Sequence, residues 1–533
     1  MACNTVTDNN SNRMLSIIHK IIQRLSIEMA SLSTFACAAL CILLGYHAFC
    51  WLYRHRLARS NGHLPPRKYP HMEPFFGLDL FIKTGKLLKE HRMLPEIAQR
   101  FADHGRTFQT SNLGRTQINS IEPENIHTVF STRSTEWGVQ PIRLAAQEPF
   151  CGRGFITTDG EEWAHAKSLL KPGFQRSYIS NLTSLEEHFQ IMLSRIPKDG
   201  STIDLLPLFA DLYLDIATVF LFGESIGALS QNVPFHAEGV LAAFDYAMRG
   251  CGIRVVLGPL RFLYRDPKWY EACQKVRQFA DYYVERAIEY RQQYLEGKDS
   301  KISDSSNRTL LQSIAEQTGD REDLRWQVMQ AHMAAQETTG NLLANVFFLL
   351  SRHPGAWRKL QEEVDAVGDS DLDWDCISRL KYVRMVLNEA LRMYPILPNI
   401  FRTALKSTSL PSGGGPDGKS PIYIPKGTMF STSSYALHRD AAIWGPDAAE
   451  FKPERWDNKF KPGPGEFIPF GAGPRVCMGQ QKALIESGYI VVRMMQEFSE
   501  IESRDNQDWM GQLQLTAKNL HGCVVSLKPL GGG

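Results

Sequence analysis

No two cysteines in this 533-residue chain stand at the two-residue spacing of a redox or zinc motif. The 10 cysteines are scattered singly. That excludes a disulfide framework and suits a reducing compartment. The default role of each is a small, buried apolar side chain. Charge of one sign is equally scarce, with a formal net charge of +2. There is no basic tail and no aromatic stripe interleaved with Lys and Arg, so nucleic acid is not an expected partner. Internal repeats, long low-complexity runs and a phosphate-binding P-loop are also lacking. Gly413, Gly415 and Gly418 satisfy GxGxxG literally. A dinucleotide fingerprint needs a helix after it, and Ser420 to Pro425 predicts a strand instead, so a hairpin loop is expected. No second domain is left over to hold a flavin. Electrons for any redox chemistry must come from another protein.

What the chain has in plenty is apolar surface: 43 % hydrophobic residues against 22 % charged. This is ordinary for a globular protein with a large core. From Met29 to Tyr53 there is no formal charge, and about 20 such residues span a bilayer. Trp51 and Tyr53 lie at one end, followed by Arg54, Arg56, Arg59, Arg67 and Lys68. Arg13, Lys20 and Arg24 lie on the other side. The basic excess predicts a cytoplasmic C-terminal flank. The alternative, a cleaved signal peptide, fits poorly with the long preamble and the basic stop. Leu15, Ile18, Ile22 and Leu25 give that preamble an apolar face that could lie along the membrane. Pro65, Pro66, Pro70 and Pro74 read as a stiff spacer. The expected division is a lumenal or interfacial segment at 1–28, a transmembrane anchor at 29–53, a basic, proline-rich linker at 54–75 and one large, mainly helical domain at 76–533. Strands are expected near Phe108–Ile121 and Ser409–Phe430, an exposed loop at Glu296–Asn307, and one long helix from about Leu324 to Ser351.

The most informative stretch is Phe470-Gly-Ala-Gly-Pro-Arg-Val-Cys-Met-Gly479. A metal-bound cysteine is a thiolate whose negative charge needs local stabilisation. Gly471, Gly473 and Gly479 let the backbone approach and aim N–H groups at the sulfur, which tunes a metal ligand. Phe470 can pack on the sulfur side, and Arg475 can pair with an anionic group. The apolar segment Gln480–Phe498 predicts a helix whose N-terminal dipole favours the thiolate.

Phe-x-x-Gly-x-Arg-x-Cys-x-Gly resembles the haem-binding signature of the cytochrome P-450 superfamily at every fixed position. The resemblance implies the cytochrome P-450 fold, mainly α with small β-sheets, here preceded by an N-terminal transmembrane helix. It implies haem b as cofactor, with Cys477 as axial thiolate and Phe470, Gly471, Gly479 and Arg475 around the haem, Arg475 on a propionate. Glu389 and Arg392, in Asn-Glu-Ala-Leu-Arg, and Arg455, in Pro-Glu-Arg-Trp, match the family's buried structural triad. Ala334-Ala-Gln-Glu-Thr-Thr339 matches the distal helix. There Ala331 and Ala335 leave room for oxygen, Thr338 assists its activation and Glu337 relays protons. Alanine stands at 335 where the family often has glycine. Trp163 matches a propionate contact. Lys167 stands where an arginine is usual, and it lacks the bidentate fork. Arg402 and His438 match further propionate positions.

The resemblance also implies a monooxygenase fed by NADPH–cytochrome P-450 reductase, with cytochrome b5 as a further partner. The reductase would dock on a basic surface using Lys167, Lys171 and Lys482. The expected location is the endoplasmic reticulum membrane, single-pass, with lipid around the anchor and the catalytic domain in the cytoplasm. Lys68–Leu80, Leu410–Gly418 and Pro446–Trp456 look like the membrane-bound alkane and fatty-acid hydroxylases of yeasts and filamentous fungi. That points to C–H oxidation of a long apolar chain. The alternative is a tailoring oxygenase of a fungal secondary-metabolite pathway acting on a polyketide or terpenoid. A haem-dependent rearrangement enzyme and a haem sensor are further rivals. By analogy, the pocket walls include Phe150, Phe220, Phe244, Met333 and Ile396. Arg143 and Arg254 are expected as solvated surface residues rather than as anchors for a substrate carboxylate.

Overall fold

The computed structural model describes residues 59–297, 308–368, 371–457 and 460–530, together with Ile42, Gly45, Phe49 and Arg56. Apart from those single positions, the expected anchor at 29–53 and its preamble at 1–28 lie outside the described residues. Most of the loop expected at Glu296–Asn307 does too. The chain divides into two compact units, Met1–Leu64 and Pro65–Gly533.

The larger unit is mainly helical. The helices that matter below are α1 (Gln140–Cys151), α2 (Gly160–Leu170), α3 (Leu205–Phe222), α4 (Val240–Leu257), α5 (Pro267–Leu295), α6 (Arg321–Ala335), α7 (Thr338–Leu350), α8 (Lys381–Met393) and α9 (Gln480–Glu497). Acidic side chains start several of them. Asp204 accepts the Leu206 N–H ahead of α3, and Asp320 accepts those of Glu322 and Asp323 ahead of α6. Each bond satisfies a donor that the first helical turn leaves without a partner.

A six-stranded mixed sheet runs in the spatial order Arg67–Lys68, Thr107–Asn112, Arg115–Ser120, Met429–Ser433, Asn399–Ala404, Trp137–Gly138. Its edge corrects the linker expected at 54–75. Arg67 and Lys68 pair with Phe108 and Gln109, and the Gly415 N–H donates to the Pro65 carbonyl at 3.0 Å. Prolines cannot donate to a ladder but are tolerated at an edge, so the stretch joins the sheet rather than standing free. Thr408–Gly414 and Ser420–Ile424 form the expected hairpin. Gly413, Gly415 and Gly418 take φ of 109°, 78° and 71° in its turn. That left-handed backbone is why glycine stands there.

The single distal helix expected from Leu324 to Ser351 is two helices, α6 and α7, interrupted at Gln336 and Glu337. Every residue of α7 from Thr339 to Leu350 is buried. It crosses α3 closely, where a Cβ on Gly340 would sit 2.8 Å from the Phe209 carbonyl oxygen. The Phe209 and Phe347 rings stack at 5.3 Å. α8 and α9 complete this main core. A separate apolar cluster joins Phe150, Phe244, Trp269, Met329 and Met333. Among the described residues, α3 is the one helix long and apolar enough to cross a membrane, and most of it is buried in the core.

Candidate active site

The Cys477 loop is a tight double turn. The Cys477 N–H donates to the Phe470 carbonyl at 3.0 Å, and the Val476 N–H to that of Gly473 at 3.0 Å. Gly473 cannot be anything else: its φ is 66° and a Cβ there would lie 1.8 Å from the Phe130 carbonyl oxygen. α9 begins immediately after, with Gly479 at its N-cap. Five of the six free cysteines among the described residues are buried, and Cys477 alone is exposed. Its side chain reaches open space, yet the protein packed around the rest of the loop desolvates the sulfur and pushes the thiol up, and hydrogen bonds from the Gly479 and Gln480 amides pull it down. The amides alone do not offset burial. A metal ion at the sulfur does, because coordination deprotonates a thiol outright.

Beside this loop is a surplus of positive charge. The Arg475 guanidinium donates to the Thr158 carbonyl at 2.6 Å and to the Asp159 carboxylate at 2.8 Å, and lies 4.5 Å above the Trp163 ring. Lys167 stands 5.1 Å over the same ring and donates to the Pro474 carbonyl at 2.6 Å. Arg402 is 7 % exposed and donates to the Phe401 carbonyl. Burial, then the Arg143 and Arg475 charges, push Arg402 down to about 9. Burial likewise lowers Arg475 to about 10, against the pull of Asp159. Arg143, half-buried, donates to the Ile156 carbonyl at 3.2 Å. Three guanidinium groups thus share one carboxylate, Asp159. A buried surplus of this kind is costly without an anionic partner.

Behind the loop lies the acid–base triad. Glu389 and Arg392 are fully buried and joined by two bonds of 2.8 Å. Arg392 also donates to the carbonyls of His438, Ala448 and Glu450. Glu389 accepts from the Lys452 amide at 3.0 Å and the Trp456 indole at 2.9 Å. Arg455 reaches Glu389 at 3.5 Å and Asp447 at 2.8 Å. The Arg455 hydrogen bond, then Lys452, hold Asp447 down at about 2. The charged groups of Glu389, Arg392 and Arg455 all have partners, the condition under which a buried ionic network rigidifies its surroundings.

Around the break between α6 and α7, Ala335, Glu337 and Thr338 are only partly buried and Ala334 is exposed. The Thr338 hydroxyl donates to the Ala334 carbonyl at 3.0 Å. The Glu337 carboxylate accepts from Thr516 at 2.9 Å. Thr516 precedes the strand Ala517–Asn519, whose first amide donates to the Ile396 carbonyl at 2.9 Å.

The profile of the cytochrome P450 family matches residues 68–521. The chain belongs to that family. It is 36 % identical to the cytochrome P450 monooxygenase fsdH of Fusarium heterosporum, covering 94 % of this chain and 90 % of the relative. It is 35 % identical to himC of Aspergillus japonicus (96 % and 94 %) and 34 % to cytochrome P450 52A12 of Debaryomyces hansenii (88 % and 92 %). The fold is that of the cytochrome P450DA heme domain, with a TM-score of 0.70, 22 % identity and coverage of 88 % of this chain and 98 % of that one. P450s carry haem b on a cysteine thiolate, draw electrons from a reductase and act on small molecules. The residues of this P450 fit that group. An open thiol faces two amides, and the unbalanced guanidinium cluster suits a dianion such as two propionates.

Several expectations need correction. His438 sits with the triad rather than with the guanidinium cluster. Its Nε2 accepts the Ile468 N–H at 3.1 Å, and burial, then Arg392 and Arg439, push its pKa to about 3, so the ring is neutral. Arg254 is buried, not solvated: it donates to the Ala145 and Ala146 carbonyls in the middle of α1 and lies 4.8 Å over Trp269. Arg143 joins the positive cluster. Phe220 is not a wall of the distal pocket, because it packs edge-on against Phe174 on the cysteine side, under Lys482. Lys482 is paired with Glu486, and Lys167 with Pro474, leaving Lys171 as the exposed member of the expected docking set. Asp159 and Thr516 are not among the site residues expected from the sequence, and Asp447 and Trp456 enter there only as members of the stretch Pro446–Trp456. Asp159 directly precedes α2, an N-cap position that offered a local signal. Thr516 offered none.

Proposed function

We propose that this P450 monooxygenase inserts one oxygen atom of O2 into a C–H bond of a large, mainly apolar substrate, with Cys477 as the axial ligand of haem b. The carrying observation is the open Cys477 thiol facing the Gly479 and Gln480 amides beside an unbalanced guanidinium cluster. When bound, the haem supplies the oxygen-activating redox chemistry. This chain's own residues do the rest. Arg475 and Arg402 would hold the propionates, with Trp163 packed against Arg475 and Lys167 over the same ring. Phe470, Gly471 and Gly479 shape the thiolate side. Glu389, Arg392 and Arg455 hold the loop rigid. Glu337 and Thr338 pass protons on the distal side. Phe150, Phe244 and Met333 supply an apolar wall that orients substrate and excludes water.

For the substrate, the long-chain alkane or fatty-acid reading rests on the apolar wall and the sequence likeness to yeast enzymes. One observation favours the tailoring reading. Asp245 on α4 is raised by burial and by the Glu337 charge, while Lys518 and Arg249 act on it in the opposite sense. Charged groups near the distal acid suit a substrate with polar functions better than a plain alkane. The yeast relative is also no more similar than the filamentous-fungal ones.

NADPH–cytochrome P-450 reductase is the proposed electron donor, with cytochrome b5 as an accessory donor. The endoplasmic reticulum membrane is the proposed location, with 29–53 as anchor, 54–64 as the remaining linker and the catalytic domain cytoplasmic. The uncharged run at 29–53 supports this. So do the exposed Met72, Phe75, Phe76, Ile82, Phe262 and Leu263, a set unusual on a body surrounded only by water.

The test is expression in microsomes with a reductase and product analysis on alkanes, fatty acids and polyketide- or terpenoid-like intermediates. The carbon-monoxide difference spectrum of the reduced protein should show thiolate ligation. Cys477→Ala should abolish that band and all turnover. Retained activity in Cys477→Ala would overturn the proposal.

A further inference from the structure

Glu337 stands at the N-cap of α7, but its side chain does not cap that helix. An aspartate at an N-cap accepts an amide hydrogen two or three positions on, as Asp204 and Asp320 do in this molecule, whereas Glu337 leaves its carboxylate free for another partner. Glu337 instead turns its carboxylate across to the hydroxyl of Thr516, 2.9 Å away and 179 residues distant in the chain. Thr516 is 7 % exposed. A buried hydroxyl without a partner is unfavourable, so the contact holds both residues. The neighbouring Thr338 hydroxyl is engaged with the Ala334 carbonyl inside the same break. The Glu337–Thr516 bond therefore ties the break between α6 and α7 to the loop before Ala517–Asn519.

We infer that Thr516 is a positioning residue for the distal acid Glu337. This rests on the reading of Glu337 and Thr338 as the proton path. A hydroxyl donates to a carboxylate and accepts from a carboxylic acid. Thr516 thus keeps its hold whether Glu337 is ionised or protonated. It sets the place where Glu337 takes a proton from water and from which it hands that proton on at the Thr338 hydroxyl. The proton taken equals the proton delivered, and Thr516 itself is unchanged. Asp245 on α4 lies close enough to Glu337 that, after burial, the Glu337 charge raises it. Lys518, two residues past Thr516, and Arg249 are the cationic groups that lower it.

Valine in place of threonine keeps the shape and removes the hydroxyl, while serine keeps the hydroxyl. The full-length holoenzymes of wild type, Thr516→Val and Thr516→Ser are compared with reductase and NADPH, using dodecanoic acid as the probe. The readouts are hydrogen peroxide released per NADPH consumed, the solvent deuterium effect on NADPH consumption, and turnover driven by added hydrogen peroxide, which bypasses proton delivery. The expected result is a several-fold higher peroxide yield and a larger solvent isotope effect in Thr516→Val. Its probe binding should stay within twofold of wild type, its peroxide-driven turnover should be kept, and Thr516→Ser should behave like wild type. Three results would each overturn the inference: an unchanged peroxide yield in Thr516→Val, equal defects in both variants, or a defect confined to probe binding. Failure of the underlying haem-thiolate reading would show separately, in the wild-type carbon-monoxide spectrum.

Discussion

Arg475 and Asp159, 316 residues apart in sequence, form an ion pair of 2.8 Å that ties the cysteine loop to the start of α2. Asp159 also accepts the Val139 and Gln140 amides at 3.0 and 2.8 Å, so one carboxylate organises three segments. Asp159→Ala should destabilise the protein by about 3 kcal/mol, because it strands two amides and a largely buried guanidinium. Urea midpoints measure this. Glu162→Ala removes an exposed pair with Arg153 and should cost under about 1 kcal/mol.

Arg402 has no carboxylate of its own, and burial lowers its pKa to about 9. Its charge is therefore a strain on the protein without haem and an attraction once propionates are present. Arg402→Leu should stabilise the haem-free form by roughly 1–2 kcal/mol. It should also speed haem loss to an acceptor protein about tenfold or more. Equal stability and equal haem loss would refute the assignment.

Two buried histidines are neutral in the fold. Burial holds His332 down at about 4, and burial with nearby arginines holds His438 at about 3. Below pH 6.5 the unfolded chain takes up protons that the folded chain refuses. Stability should therefore fall as pH drops from about 6.5 toward 4, by up to ~1.4 kcal/mol per pH unit for each ring. His332→Leu should reduce that slope by one proton. The measurement is the denaturant midpoint against pH across this window.

Gly473 and Gly471 both have positive φ, 66° and 73°. At Gly473 a Cβ would overlap the Phe130 carbonyl, whereas at Gly471 the nearest atom is 3.9 Å away. Gly471→Ala should cost about 1–2 kcal/mol of backbone strain and still bind haem. Gly473→Ala should displace the loop and abolish haem retention, read from the ratio of haem to protein absorbance.

The cysteine loop, the triad residues and the hairpin were legible in the sequence because each depends on local requirements. Glycines meet left-handed turns, Glu389 and Arg392 lie one helical turn apart, and strand residues alternate around a turn. The helix break at Gln336–Glu337 was not legible, since the apolar period runs on through it. The proline-rich stretch from Pro65 looked like a free spacer because the carbonyl and strand it joins lie elsewhere in the chain.

By itself the sequence determined which residue can be a haem thiolate and the family to which the chain belongs, because that chemistry needs a fixed spacing of Phe, Gly, Arg and Cys. Only the tertiary structure decided which charges meet. Arg143, Arg402 and Arg475 converge on Asp159, Thr516 reaches Glu337, and His438 turns to Ile468. These pairings join segments tens to hundreds of residues apart, and burial gives them their strength. Neither distance nor burial is written in local sequence pattern.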